Sequence, residues 1–107
     1  MRRGEIWWAN LPSPIGRCQA LLISRDSAYR VRTSITAAVI TRTIRNIPVE
    51  VALNTEDGIP AKSVVNLDNI ITIPKALLTE RITELSSNKM TQVNSAILFA
   101  LGIENTE

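Results

Sequence analysis

The amino-acid sequence predicts a mostly β fold, a small barrel flanked by one α-helix at the C-terminal end. Three observations carry that expectation. Short apolar runs recur at close spacing with turn residues between them, the pattern of small barrels and strongly bent sheets. Where the runs are long enough to read, apolar side chains alternate with a period of two, as on half-buried strands. Only residues 86–102 change to helical spacing.

The elements follow in order. "GEIWWANL" has strand composition and ends at "PSPIG", where two prolines and a glycine mark a turn. "ALLIS" is a short apolar run suited to a buried strand. In "TSITAAVITRT", Ile35, Ala37 and Val39 fall on one face, with Thr41 next in the row. "VEVAL" sets Val49, Val51 and Leu53 opposite Glu50 and Ala52, and "NTEDG" supplies a turn centred on Asp57 and Gly58. "SVVNL" and "NIITI" read as two further short strands, or a strand and a turn, stopped by Pro74. In the final segment Met90, Val93, Ile97, Leu98 and Leu101 recur at helical spacing, an apolar stripe expected to pack on the barrel. Ser86 or Ser87 caps its start and Gly102 its end.

With 107 residues, the chain is expected to form one domain over residues 1–107. Apolar residues at 45% and charged residues at 21% describe a globular protein. No apolar run approaches the ~20 residues of a membrane helix. The opening "MRRGEIWWANLP" lacks the greasy run of a signal peptide, and a lone cysteine forms no internal disulfide; a cytoplasmic location is the expectation. Histidine is absent, which rules out a Ser-His-Asp triad, a paired-histidine nuclease and a histidine metal site. No metal and no cofactor is expected. Chemistry must come from Arg, Lys, Thr, Ser, Asp and Glu.

Charge is unevenly placed. Residues 1–47 carry eight arginines against Glu5 and Asp26, a balance of +6, whereas residues 48–107 carry four basic and eight acidic side chains, a balance of −4. The basic half uses only arginine, whose planar fork suits phosphate. Solvated strand-edge charges would give the same pattern; a phosphate-rich partner, nucleic acid first, is the sharper reading.

Taken together, "RRGEIWWANLPSPIG", "ALLISRD", "AAVITRTIRNIPVEV" and "SVVNLDNIITIPKALLTERITELS" resemble, in order, the successive segments of the MazF/PemK-type toxins of toxin–antitoxin pairs. The similarity runs from about Arg2 to Gly102. It implies an SH3-like barrel, a homodimer, and a metal-independent endoribonuclease that cuts single-stranded RNA, such as mRNA, at short sequences. It also implies a cognate antitoxin that blocks the RNA groove. Two alternatives stand beside this: a non-catalytic or attenuated member that only binds RNA or antitoxin, and a gyrase poison of the related CcdB type. The threonine and arginines of "VITRTIRN" favour the ribonuclease.

The resemblance also assigns residues. The family's threonine at the end of the third strand matches Thr41. Its arginine at the start of the second strand falls on Cys18, and its following proline on Gln19, so Cys18 is an altered catalytic position. Arg17 lies one residue early, and irregular backbone after Gly16 is what would re-aim it into the catalytic role. A guanidinium there stabilises the charge that builds on the phosphoryl oxygens, and a threonine hydroxyl holds one of them. A neutral thiol does neither, and no histidine is present to activate Cys18, which reads as a space filler. Arg42 and Arg45, in the loop after Thr41, read as phosphate contacts. Arg25 and Arg30 would do the same or face solvent. Asn66, Asp68 and Asn69 match the stretch that borders the RNA groove, where they would read base edges or simply form turns. Of Trp7 and Trp8, one faces the core and the other the opposite side, either to stack on a base or to be buried.

Overall fold

The computed structural model describes residues 1–104. Six strands form one antiparallel sheet: β1 (Glu5–Asn10), β2 (Arg17–Leu22), β3 (Ser34–Thr41), β4 (Glu50–Leu53), β5 (Ser63–Pro74) and β6 (Leu78–Glu84). Their spatial order is β4-β5-β3-β2-β1-β6. A one-turn helix α1 (Ala28–Val31) interrupts the link from β2 to β3, and α2 (Ser87–Ala100) ends the fold. The mostly β expectation with a C-terminal helix holds, in the form of a curled half-barrel whose outer strands are β4 and β6.

Register irregularities between β1 and β6 and within β3–β5 curl the sheet, because an extra residue on one strand bends it and sharpens its twist. The largest lies in β5. Ala38 faces Ile70 while Ile40 faces Val65, so residues 66–69 bulge opposite Val39 alone. "SVVNL" and "NIITI" are therefore one strand with a bulge at the "NLDN" between them, not two strands.

Strand alternation gives the sheet two apolar faces. One carries Ile6, Leu21, Ala38, Ile40 and Val65, and packs against Val93 and Ala96 of α2. The other gathers Ala9, Ala20, Leu22, Ala37 and Ile73 around Tyr29 and Leu78. The predicted stripe of α2 is confirmed at Met90, Val93 and Ile97. Leu101 lies past the last helical residue and is 59% exposed. Ser86 is the cap, its Oγ accepting from Lys89 N–H at 3.1 Å. Lys89 Nζ then donates to Ala52 O at 2.7 Å, laying the helix start on the outer strand β4.

Glu5, at the start of β1, is only 6% exposed. Its carboxylate accepts from Arg2 N–H at 3.1 Å, Trp7 Nε1–H at 3.0 Å and Arg81 Nε–H at 3.1 Å. Burial alone would push its pKa up; those hydrogen bonds outweigh it and hold the carboxyl below its ordinary 4.5. The unfolded chain therefore binds more protons in acid, and this contribution to stability is lost as pH falls below about 4.5. Thermal melts from pH 7 downward are expected to show that loss, and Glu5→Gln to be less stable at pH 7, by about 1–3 kcal/mol, and flatter in acid.

Candidate active site

The site is built at the end of the sheet where β1 and β3 finish and β2 begins. In antiparallel strands, residues directly opposite share a face. Asn10 faces Arg17, Ala9 faces Cys18, and Trp8 faces Gln19, which in turn faces Ile40 on β3. Arg17, Gln19, Trp8 and Ile40 thus point to one side and Cys18 to the other. Continuing the β2–β3 register by one residue sets Cys18 across from Thr41, and by two sets Arg17 across from Arg42.

A cleft of about 290 Å³ opens here, bordered by Trp8, Arg17, Gln19, Ile40, Arg42 and Ser63, with Cys18 and Thr41 at its rim. Arg17 is exposed, and its guanidinium lies 4.0 Å above the centre of the Trp8 ring. That contact rests a long cationic side chain on the indole, and among the described residues its N–H fork meets no carboxylate. Thr41 Oγ accepts from Thr43 N–H at 3.1 Å, which turns the chain out of β3 and leaves the hydroxyl proton free to be donated. The following loop is held by Glu50, whose Oε1 accepts from Arg45 N–H at 3.0 Å and Asn46 N–H at 2.9 Å. The side chains of Arg42 and Arg45 remain exposed.

Cys18 turns into the apolar cluster around Ala9 and Ala20. Burial pushes its thiol up, so it is neutral near pH 7. Of the residues expected at a site, Arg17, Cys18, Thr41 and Arg42 come together. Arg45 sits in the adjoining loop. Asn66, Asp68 and Asn69 lie on the β5 bulge, outside the cleft lining, where Asn66 Oδ1 accepts from Asp68 N–H at 2.9 Å. Arg25 follows the far end of β2, away from this cleft, and Arg30 is exposed on α1. Arg2 pairs with Glu84 at 2.6 Å and Arg3 bonds Asn94 at 2.8 Å, so part of the basic half serves the fold. No local signal in the sequence marks Gln19 or Ser63 as lining a site; grouping Gln19 with Trp8 needs the β1–β2 register. Among the described residues, no three His, Cys, Asp or Glu are gathered as a metal-ligand set, and no helix is long and apolar enough to cross a membrane.

Residues 2–101 match the family model described as "PemK-like, MazF-like toxin of type II toxin-antitoxin system". The chain belongs to this PemK/MazF-like toxin family. It is 37% identical over 101 residues to the "Probable endoribonuclease MazF5" of Mycobacterium tuberculosis, covering 92% of this chain and 91% of that protein. It is 31% identical over 112 residues to the "Endoribonuclease MazF" of Staphylococcus saprophyticus, covering 96% and 92%. Among solved structures, the PemK/MazF-like fold superposes with a TM-score of 0.88 on one described as "Endoribonuclease in complex with its cognate antitoxin from Mycobacterial species". That pair is 28% identical and covers 99% of both chains.

Proposed function

We propose that this chain is the endoribonuclease toxin of a type II toxin–antitoxin pair and cuts single-stranded RNA at a rate lowered by Cys18. The observation that carries the reading is the end of β3, where Thr41 meets a cleft flanked by Arg17 and Arg42, in a member of the PemK/MazF-like family. The reaction is attack by a ribose 2′-oxygen on the adjacent phosphorus. A new P–O2′ bond forms as the 2′-hydroxyl gives up its proton to water, the P–O5′ bond breaks, and a proton passes to the 5′-oxygen. The products are a 2′,3′-cyclic phosphate and a 5′-hydroxyl, with no metal in the step. Thr41 Oγ–H donates to a phosphoryl oxygen and fixes it; Arg42, with Arg17 across from it, stabilises the added negative charge. Arg45 holds a neighbouring phosphate, and Asn66, Asp68 and Asn69 on the bulge meet bases farther along the strand. Residues 1–107 act as one toxin domain, a homodimer in the cytoplasm, whose partners are RNA and a cognate antitoxin.

One observation favours a second reading, a binding-only member: the face of β2 that meets Thr41 carries a thiol, while the guanidinium of Arg17 is stacked on Trp8. Incubation with long single-stranded RNA and a chelator decides between them. Cleavage that leaves 2′,3′-cyclic phosphate ends and slows at least about tenfold in Thr41→Ala is the expected result. RNA retained without cleavage supports the binding-only reading. Absence of cleavage in both the chain and Cys18→Arg sinks the ribonuclease assignment.

A further inference from the structure

The loop that follows β3 is exposed at every residue from Arg42 to Pro48. Ile44, Asn46 and Ile47 border a cavity of about 450 Å³ together with Ala52 of β4 and Val64 of β5, so little apolar packing fixes the loop's shape. Polar contacts fix it instead. At its start, Thr43 N–H donates to Thr41 Oγ1 at 3.1 Å. At its end, Glu50 Oε1 accepts from both Arg45 N–H, at 3.0 Å, and Asn46 N–H, at 2.9 Å. Glu50 N–H in turn donates to Ile47 O at 3.0 Å. Two successive N–H groups thus converge on one anion, as in a backbone nest. Asn46 completes the turn with φ +56°, a left-handed conformation that asparagine tolerates. Glu50 itself is anchored on β4, paired with Asn66 of β5.

We infer that Glu50 is a positioning residue for RNA: its carboxylate sets the loop so that Arg42 and Arg45 stand ready for phosphates before RNA arrives. The inference rests on the RNA reading above and deepens it. Ordering long side chains and their backbone at the moment of binding costs affinity, and a loop already held avoids that cost. Charge alone argues the other way. A carboxylate bonded to the backbone of Arg45 lies close to any phosphate that Arg45 holds, and repels it. Removing Glu50 therefore tightens RNA binding if its charge dominates and weakens binding if its geometry does. The sign of the effect separates the two.

A long fluorescent RNA with 2′-O-methyl riboses tests this, since it has no free 2′-hydroxyl and cannot be cut. In anisotropy titrations at low salt, Glu50→Ala is expected to weaken binding about tenfold, although the protein becomes more positive. Glu50→Gln keeps an acceptor oxygen at the same reach and should bind at least as tightly as the unmodified chain. Glu50→Asp keeps the charge but withdraws the carboxylate by one methylene, and should fall with Glu50→Ala. The Gln and Asp variants change little volume, so they decide even where Glu50→Ala folds poorly. In a chain already carrying Arg42→Ala and Arg45→Ala, Glu50→Ala should change affinity by less than about twofold. General damage to the fold would weaken binding there too. Equal or tighter binding by Glu50→Ala and Glu50→Asp, or a loss that persists without the two arginines, overturns the inference and leaves the RNA reading standing. Failure of the unmodified chain to bind RNA at low salt overturns the RNA reading itself.

Discussion

Cys18→Arg is expected to raise the rate of RNA cleavage about 100- to 1,000-fold, the usual worth of one well-placed donor to a developing oxyanion. The substitution puts a guanidinium on the face of β2 that meets Thr41, where the present side chain is a neutral thiol. Position 18 is half-buried at a strand start beside Ala9, so the methylene stem covers apolar surface while the charged head extends to the rim. The gain should depend on geometry as well as charge. Cys18→Lys should recover less, because an ammonium lacks the planar fork that spans two phosphoryl oxygens. Adding Thr41→Ala to Cys18→Arg should remove most of the gain. Initial rates on one RNA with chelator present measure all of these. A folded Cys18→Arg chain with no gain would show that position 18 does not face the reacting phosphate. Rapid cutting by the unmodified chain, abolished by Arg17→Ala, would instead place the guanidinium at Arg17.

Gly58→Ala is expected to destabilise the fold by about 2–4 kcal/mol, combining backbone strain with overpacking. Gly58 ends the 3-10 turn Thr55–Asp57 with φ +94°, a left-handed conformation that L side chains rarely adopt. A methyl group there would also overlap Thr83 on β6, whose Cβ would lie only 2.8 Å away. Thr83 is β-branched and stiff, so it cannot swing aside. Gly102 is the control: it has φ +67° with open space around it, and Gly102→Ala should cost only the strain, about 1–2 kcal/mol. Chemical denaturation of both variants measures the difference, and equal losses would mean that the Thr83 contact is unimportant.

Much of this architecture can be read from the residues because local rules agree there. The Asp57-Gly58 turn carries its own signal, and the structure adds the reciprocal cap from Asn54 and Asp57 that fixes it. The helix of residues 87–100 shows its cap, period and glycine stop. The edge strand β6 is less visible: "LTERITE" is mostly polar, since one side of it meets solvent. Helix α1 is too short to display a period. The β5 bulge resembles a turn between two strands, because Asn and Asp serve both. At the candidate site, alternation alone separates Arg17 from Cys18. The meeting of Gln19 with Trp8 and Ile40 depends on pairing across three strands, which no local pattern encodes.

The β5 bulge also bears on how this surface can change. Pairing with β3 is fixed independently on its two sides, Ala38 with Ile70 and Ile40 with Val65. Between those two anchored ladders, Asp68 and Asn69 are exposed, whereas Asn66 still faces Glu50 on β4 and Leu67 is buried with its N–H bonded to Val49 O. A substitution, or an added residue, at Asp68 or Asn69 leaves both ladders in phase, and Thr41, paired with Val64, stays where it is. The tip of the bulge can thus be rewritten while the end of β3 is kept.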